Sequence, residues 1–230
     1  GGLIEANQGQ HFVFPSGKHS TKFLRTGNIL LYSSEIYFIS FTMLKFYNVD
    51  EHKYIYCDTS SINSLAMALV NLKQRFLDYK LKMPLINSFK SYSIFEEEEL
   101  AFGKNSLFLV SSSTSGGIIE RFTERKVSIP LRNNVLLFFL GDFENFSKYE
   151  DNIVCNLTST FPLENGIQPF KTYNIENTVC KYCHDGSMPL NVVGDTFLSE
   201  KPRINKVLLT VFHPPKNLSS FVEQFICDNR

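Results

Sequence analysis

Residues 107–119 read Leu-Phe-Leu-Val-Ser-Ser-Ser-Thr-Ser-Gly-Gly-Ile-Ile, and this stretch decides the fold. Its four apolar residues have the length of a short buried strand, the hydroxyl- and glycine-rich run after them makes a turn, and Ile118-Ile119 begin a helix. A strand that feeds a helix in this way is the repeating unit of a parallel sheet covered by helices. The same layout suits a phosphate. The N-terminus of a helix offers unpaired backbone N–H donors and partial positive charge, and Gly116 and Gly117 let the backbone come close to an anion. Ser113, Thr114, Ser115, Gly116, Gly117 and Ile118 are therefore the candidate phosphate-binding residues. Ser111 and Ser112 leave the strand end without a carboxylate for ribose hydroxyls or a hydrated metal.

Outward from this stretch, strand and helix patterns alternate through the first 140 residues or so, which predicts an α/β domain with a mostly parallel sheet flanked by helices. Toward the N-terminus, Tyr54–Cys57 reads as a buried strand. Asp58-Thr59-Ser60-Ser61 follow as N-cap candidates, and Ile62, Leu65, Ala66, Leu69, Leu72 and Phe76 recur on one helix face. Residues 33–46 fit another helix. Residues 11–14 and 22–24 read as two strands of a hairpin around Pro15-Ser16-Gly17. Residues 84–88 read as a strand and 96–99, four glutamates, as a solvated acidic segment. On the other side, a helix to about residue 125 precedes a strand at 135–140.

Beyond Phe143 the alternation weakens. Strands are expected at 153–157, 190–193 and 207–212 and a terminal helix at 219–227, with irregular sequence to about residue 190. The reading is a core over residues 1–143, including the N-terminal hairpin, and a C-terminal accessory region or lid over 144–230 packed on the same domain. No internal repeat or low-complexity segment interrupts it.

Composition limits the partners. The 230 residues are 43% hydrophobic with 22 Phe and no Trp, enough for one large core. The 23 basic and 23 acidic residues cancel, so no global field recruits nucleic acid or an acidic membrane, and any anion site must be local. No apolar run approaches the roughly 20 residues that cross a bilayer. The opening Gly1-Gly2-Leu3 lacks the pattern of a secretory leader. Five cysteines, an odd number, argue against a disulfide framework and for a reducing, cytoplasmic location.

Three segments together resemble the type I phosphoribosyltransferases, most closely the orotate phosphoribosyltransferase branch. Phe14-Pro15-Ser16-Gly17-Lys18-His19-Ser20-Thr21-Lys22-Phe23, ending at Gly27, is similar to that branch's N-terminal Ser-Gly-Arg-x-Ser-Pro-x-Phe segment. Lys18 stands in place of the arginine, and Pro15 in place of the usual lysine before Ser-Gly. Residues 54–66 resemble the strand, pyrophosphate loop and helix, with Asp58, Thr59, Ser60 and Ser61 in the loop. Residues 107–119 resemble the signature of four apolar residues, two acids, two variable residues and a Thr-Thr-Gly-like end, with Ser111 and Ser112 replacing both acids. At Phe89-Lys90-Ser91-Tyr92, where the family's mobile Arg-Lys loop belongs, Lys90 alone is retained. The resemblance covers about residues 11–141.

What the resemblance implies is glycosyl transfer, in which a nitrogenous base displaces pyrophosphate from magnesium-bound phosphoribosyl pyrophosphate. In the family the two acids contact the ribose hydroxyls and stabilise developing positive charge. Loss of one preorganised contact of this kind is commonly worth ~3 kcal/mol, or about 100-fold in rate. The expectation is a phosphoribosyltransferase-like domain that is catalytically degenerate and binds a phosphorylated ribose or nucleotide, or serves as a sensing or interaction module, with a protein partner or a second copy of itself as further partners. Lys18, Arg25, Lys90, Ser111 and Ser112 are the accessory ligand contacts, and magnesium enters only with phosphoribosyl pyrophosphate. Two alternatives stay open. One is a working transferase in which Ser111 and Ser112 contact ribose through hydroxyls and Asp58 assists. The other is a structural scaffold in a multi-protein system, like degenerate domains of bacterial defence systems.

Cys180-Lys-Tyr-Cys183-His184 formally matches a c-type haem attachment string, but haem attachment needs an export route. Cys-x-x-Cys also serves zinc, and a structural ion held by Cys180, Cys183 and either His184 or Cys155 lacks a second clear pair. Two free thiols are the preferred reading, with no metal site and no redox-active disulfide.

Overall fold

The computed structural model describes residues 1–76, 82–89, 103–124, 129–158, 166–170, 172–174 and 180–199. The segments expected at 96–99, 207–212 and 219–227, and Lys90, lie outside the described residues. In chain order the strands are β1 (Leu3–Glu5), β2 (Gln10–Val13), β3 (Lys18–Ser20), β4 (Lys22–Leu24), β5 (Tyr54–Cys57), β6 (Leu85–Ser88), β7 (Ser106–Ser113), β8 (Asn134–Phe139), β9 (Ile153–Asn156), β10 (Tyr173–Asn174), β11 (Met188–Val193) and β12 (Thr196–Ser199). The α-helices are α1 (Ser33–Thr42), α2 (Asn63–Arg75), α3 (Gly117–Glu124), α4 (Phe143–Tyr149) and α5 (Lys181–His184).

The main sheet has five strands in the order β6-β5-β7-β8-β9, and every neighbouring pair is parallel. Tyr54–Cys57, residues 107–110 and residues 135–139 thus lie in one parallel sheet, as the alternation predicts. The pleat sends successive side chains to opposite faces, which produces two cores. Ile55, Cys57, Leu107, Leu109, Val135 and Leu137 face one way, onto Leu65, Ala66 and Leu69 of α2 and Met43 just past α1. Tyr56, Phe108, Val110 and Leu136 face the other way, onto Ile118, Ile119 and Phe122 of α3 and Tyr149 of α4. A leucine fully buried in such a layer is worth roughly 1.5–3 kcal/mol. Helices on both faces make this a doubly wound α/β sheet.

The periodicity expected for α2 is met by Leu65, Ala66 and Leu69, all buried, whereas Phe76 lies just past the helix and is exposed. Residues 33–46 divide into α1 and a 3₁₀ turn over Met43–Lys45. Ser111, Ser112 and Ser113 belong to strand β7, not to the turn. The reason is lateral pairing, because Ser112 and Ser113 align with Phe138 and Phe139 of β8 and carry the ladder past the apolar run. β9 extends the parallel sheet from beyond Phe143.

A second sheet, in the order β10-β3-β2-β11-β12, joins the two ends of the compact unit Gly1–Leu198. β2 pairs antiparallel with β3 and parallel with β11, where Phe12 meets Leu190. The hairpin expected between 11–14 and 22–24 is corrected here: β2 turns back at once onto β3, while β4 pairs with β1. The cause is the tightness of the turn. Gly17, at φ 78, donates its N–H to the Phe14 carbonyl, and Phe14 donates to Lys18, so pairing resumes at residue 18. Phe12, Phe23, Leu190 and Val192 form a small third core. No described helix is long and apolar enough to cross a membrane.

Candidate functional site

In the order β6-β5-β7-β8-β9 the chain leaves β5 toward one edge and returns at β7 toward the other, so a crevice opens between the carboxyl ends of β5 and β7. This is where open α/β sheets place ligands. A cavity of about 660 Å³ occupies that position. It is lined by Asp58 and Thr59 after β5, by Ser111–Ser115 and Gly117 at the end of β7, by the hairpin loop 14–18, and by Gly194 and Asp195 between β11 and β12. A second hollow, near His52 and Asn133, lies at the amino ends of β5 and β8, away from this crossing.

One end of the cavity is built from the β7–α3 turn. Gly116 accepts the first helical hydrogen bonds from Ile119 and Glu120, so Gly117 and Ile118 open the helix with N–H groups that have no partner inside it. Gly116 sits at φ 72, and a Cβ there would run into the Tyr149 ring, so glycine is required twice over. Its own N–H donates to Ser113 Oγ at 2.8 Å. Ile118 is a core residue packed under the sheet rather than a lining residue. Lys18 reaches across from the hairpin and donates to Ser115 Oγ at 2.8 Å. Arg121, one turn along α3 from Gly117, lines the same cavity.

The other end is acidic. Asp58 is buried, and its carboxylate accepts the Ser111 N–H and the Ser111 hydroxyl, each at 2.9 Å. Ser111, near the carboxyl end of β7, is thus joined to an acid that follows the neighbouring strand β5. Burial pushes the Asp58 carboxyl up to about 7; the Ser111 hydrogen bonds oppose that rise, and the nearby Asp195 charge adds to it. Asp195 Oδ2 accepts the Gly27 N–H at 2.9 Å. Gly27 permits that approach, since a Cβ there would stand 3.2 Å from the same oxygen.

Of the residues singled out from sequence, Lys18, Asp58, Thr59, Ser111–Ser115 and Gly117 converge on one cavity. Ser60 and Ser61 sit one step back, in the 3₁₀ turn that leads to α2, where the Ser61 hydroxyl is 2.7 Å from that of Thr59. Arg25 is not part of the lining. Asp195, Arg121 and Gly141 escaped the sequence reading. Gly141 matters because Leu140 donates to the Ser113 carbonyl at 2.9 Å, which brings β8's exit so close that a Cβ at 141 would collide with the Thr114 carbonyl. The available signal was the Gly-Asp dipeptide at 141–142 and again at 194–195, each just past an apolar strand.

No protein-family model matches this chain, and no curated protein matches it in sequence.

Proposed function

We propose that this chain is a phosphoribosyltransferase-like binding domain that takes a phosphorylated ribose or a nucleotide in the cavity between β5 and β7. The single observation behind this reading is the polarity of that cavity. One end offers Lys18, the hydroxyls of Ser113–Ser115 and the start of α3, which suit a phosphate; the other offers Asp58 and Asp195, whose oxygens retain lone pairs for sugar hydroxyls. A sugar phosphate carries those two chemistries in the same order. Turnover is not expected, because stabilising a ribosyl cation asks for fixed negative charge, and a carboxyl that holds its proton up to about pH 7 supplies it incompletely.

Calorimetric titration with ribose 5-phosphate, phosphoribosyl pyrophosphate with magnesium, and ribose tests the reading. Ribose 5-phosphate should bind and ribose should not, and Lys18→Ala should weaken binding about 10- to 100-fold, the worth of one charged hydrogen bond. Pyrophosphate release with common bases should stay at background. A second reading, a retained transferase, rests on the two carboxylates Asp58 and Asp195 on one cavity. Magnesium-dependent pyrophosphate release that disappears in both Asp58→Asn and Gly117→Val would establish it in place of the first.

A further inference from the structure

Away from the cavity wall, four side chains from three separate segments point at one spot. His11 on β2 and His19 on β3 face each other across the hairpin, with His11 Nε2 3.0 Å from His19 Nδ1. Cys183, at the end of the Cys-x-x-Cys turn, places its Sγ 3.5 Å from His11 Nε2 and 3.4 Å from His19 Nδ1. Cys180 completes the group, and all four ligand atoms lie within 4.8 Å of one another. We propose that these four side chains bind one zinc ion as a structural Cys₂His₂ site.

The geometry fits the ion. A tetrahedral zinc with bonds of about 2.0–2.1 Å to nitrogen and about 2.3 Å to sulfur spaces its ligands about 3.3 Å apart for two nitrogens and about 3.5 Å for nitrogen and sulfur. The observed separations are 3.0, 3.5 and 3.4 Å. Two thiols and two imidazoles in a compact tetrahedron favour zinc over the harder divalent ions, which prefer oxygen.

The surroundings fit as well. His11 Nδ1 is held by Ser187 Oγ at 3.0 Å, the outer contact that fixes which ring nitrogen faces a metal. His19 turns its Nδ1 into the cluster, where it lies 3.0 Å from His11 Nε2 and 3.4 Å from Cys183 Sγ. His11, His19 and Cys180 are buried. Cys180 N-caps α5, the short helix turns after His184, and Gly186 at φ 75 reverses the chain into β11, so both thiols return toward the hairpin. The partners are therefore His11 and His19, not the adjacent His184, whose ring turns to Asp185 at 3.3 Å, nor Cys155.

Such an ion would tie the hairpin, and with it the loop 14–18, to the start of β11. The assignment stands whether or not the cavity takes a phosphorylated ribose. The test is metal analysis of the purified full chain, paired with cobalt(II) substitution. The expected result is one zinc per chain and, with cobalt, intense visible d–d bands together with thiolate charge-transfer absorption. Zinc content should fall in Cys183→Ser, whose side chain is exposed and least disturbing to the fold, and in His19→Ala, while His184→Ala and Cys155→Ser retain it. A chain that purifies without zinc and gives no tetrahedral cobalt spectrum would overturn the proposal. So would zinc that survives unchanged in both Cys183→Ser and His19→Ala. Because the cobalt spectrum is read on the unmodified chain, a variant that fails to fold leaves the decision intact.

Discussion

In the parallel sheet the pairs β5–β6, β7–β8 and β8–β9 are consecutive described strands, whereas in the mixed sheet Phe12 must meet Leu190 and His19 must meet Tyr173, from the far end of the compact unit. The first region buries two continuous apolar layers against α1, α2, α3 and α4. Among the described residues, the second has a core of four buried side chains, with a polar cluster, His11, His19, Cys180 and Cys183, beside it. A small core supplies little burial energy, and a bound ion is one way small folded units make up the difference. The cavity lies where the two regions meet. The parallel sheet supplies the cradle and Asp58, and the mixed sheet supplies Lys18 and Asp195.

The comparison breaks most visibly under core truncation. Leu109→Ala, deep in the parallel sheet, should cost about 2–5 kcal/mol, and Leu190→Ala in the third core should fall at or below the low end of that range. Urea unfolding of both variants checks this, and equal losses would mean that the mixed sheet is no weaker than the parallel one.

Next in size is Gly116→Ala. A left-handed backbone and a collision with the Tyr149 ring together should cost roughly 1–3 kcal/mol. Combining it with Tyr149→Ala should relieve the collision and leave the backbone strain, so a double-mutant cycle sharpens how tightly the cradle is held by α4.

A smaller, pH-dependent effect comes from Asp58. Its carboxyl keeps a proton up to about 7 in the folded chain and loses it near 3.8 in the unfolded one, so the folded state binds more protons between those values. Stability should therefore fall as pH rises from about 4 to about 7 and level off above. Asp58→Asn should flatten that slope, because the Ser111 hydroxyl can rotate to accept from the amide. Unfolding midpoints at pH 5 and pH 8 measure it.

Smallest of all is the exposed Lys22–Glu5 pair, 3.0 Å apart on β4 and β1. Lys22→Ala should change stability by less than about 1 kcal/mol in a thermal melt.

The two regions also differed in how far the sequence could be read. Tyr54–Cys57 and residues 107–110 and 135–139 were legible because short apolar runs, each followed by a helix, are a local signal, and burial on both faces leaves them uniformly apolar. Ser111–Ser113 were misplaced into a turn, since their strand character comes from β8 beside them and not from their own propensity. The pairing of β2 with β3 and β11 depends on contacts between chain ends, which no local pattern encodes. In the site, Asp58 and the Ser-Gly run carried a recognisable spacing. Asp195, His11 and His19 did not, because their partners are far away in sequence: Gly27, Cys180 and Cys183.

The central claim is that the cavity holds a phosphate at the β7–α3 turn with Lys18 above it. Titration of the isotope-labelled chain with ribose 5-phosphate, followed by amide NMR, tests it most directly. The account predicts saturable shifts concentrated at Ser113–Gly117 and Lys18, lost in Gly117→Val and retained in Lys22→Ala. Shifts that ignore this loop, or binding that persists unchanged in both Gly117→Val and Lys18→Ala, would contradict it.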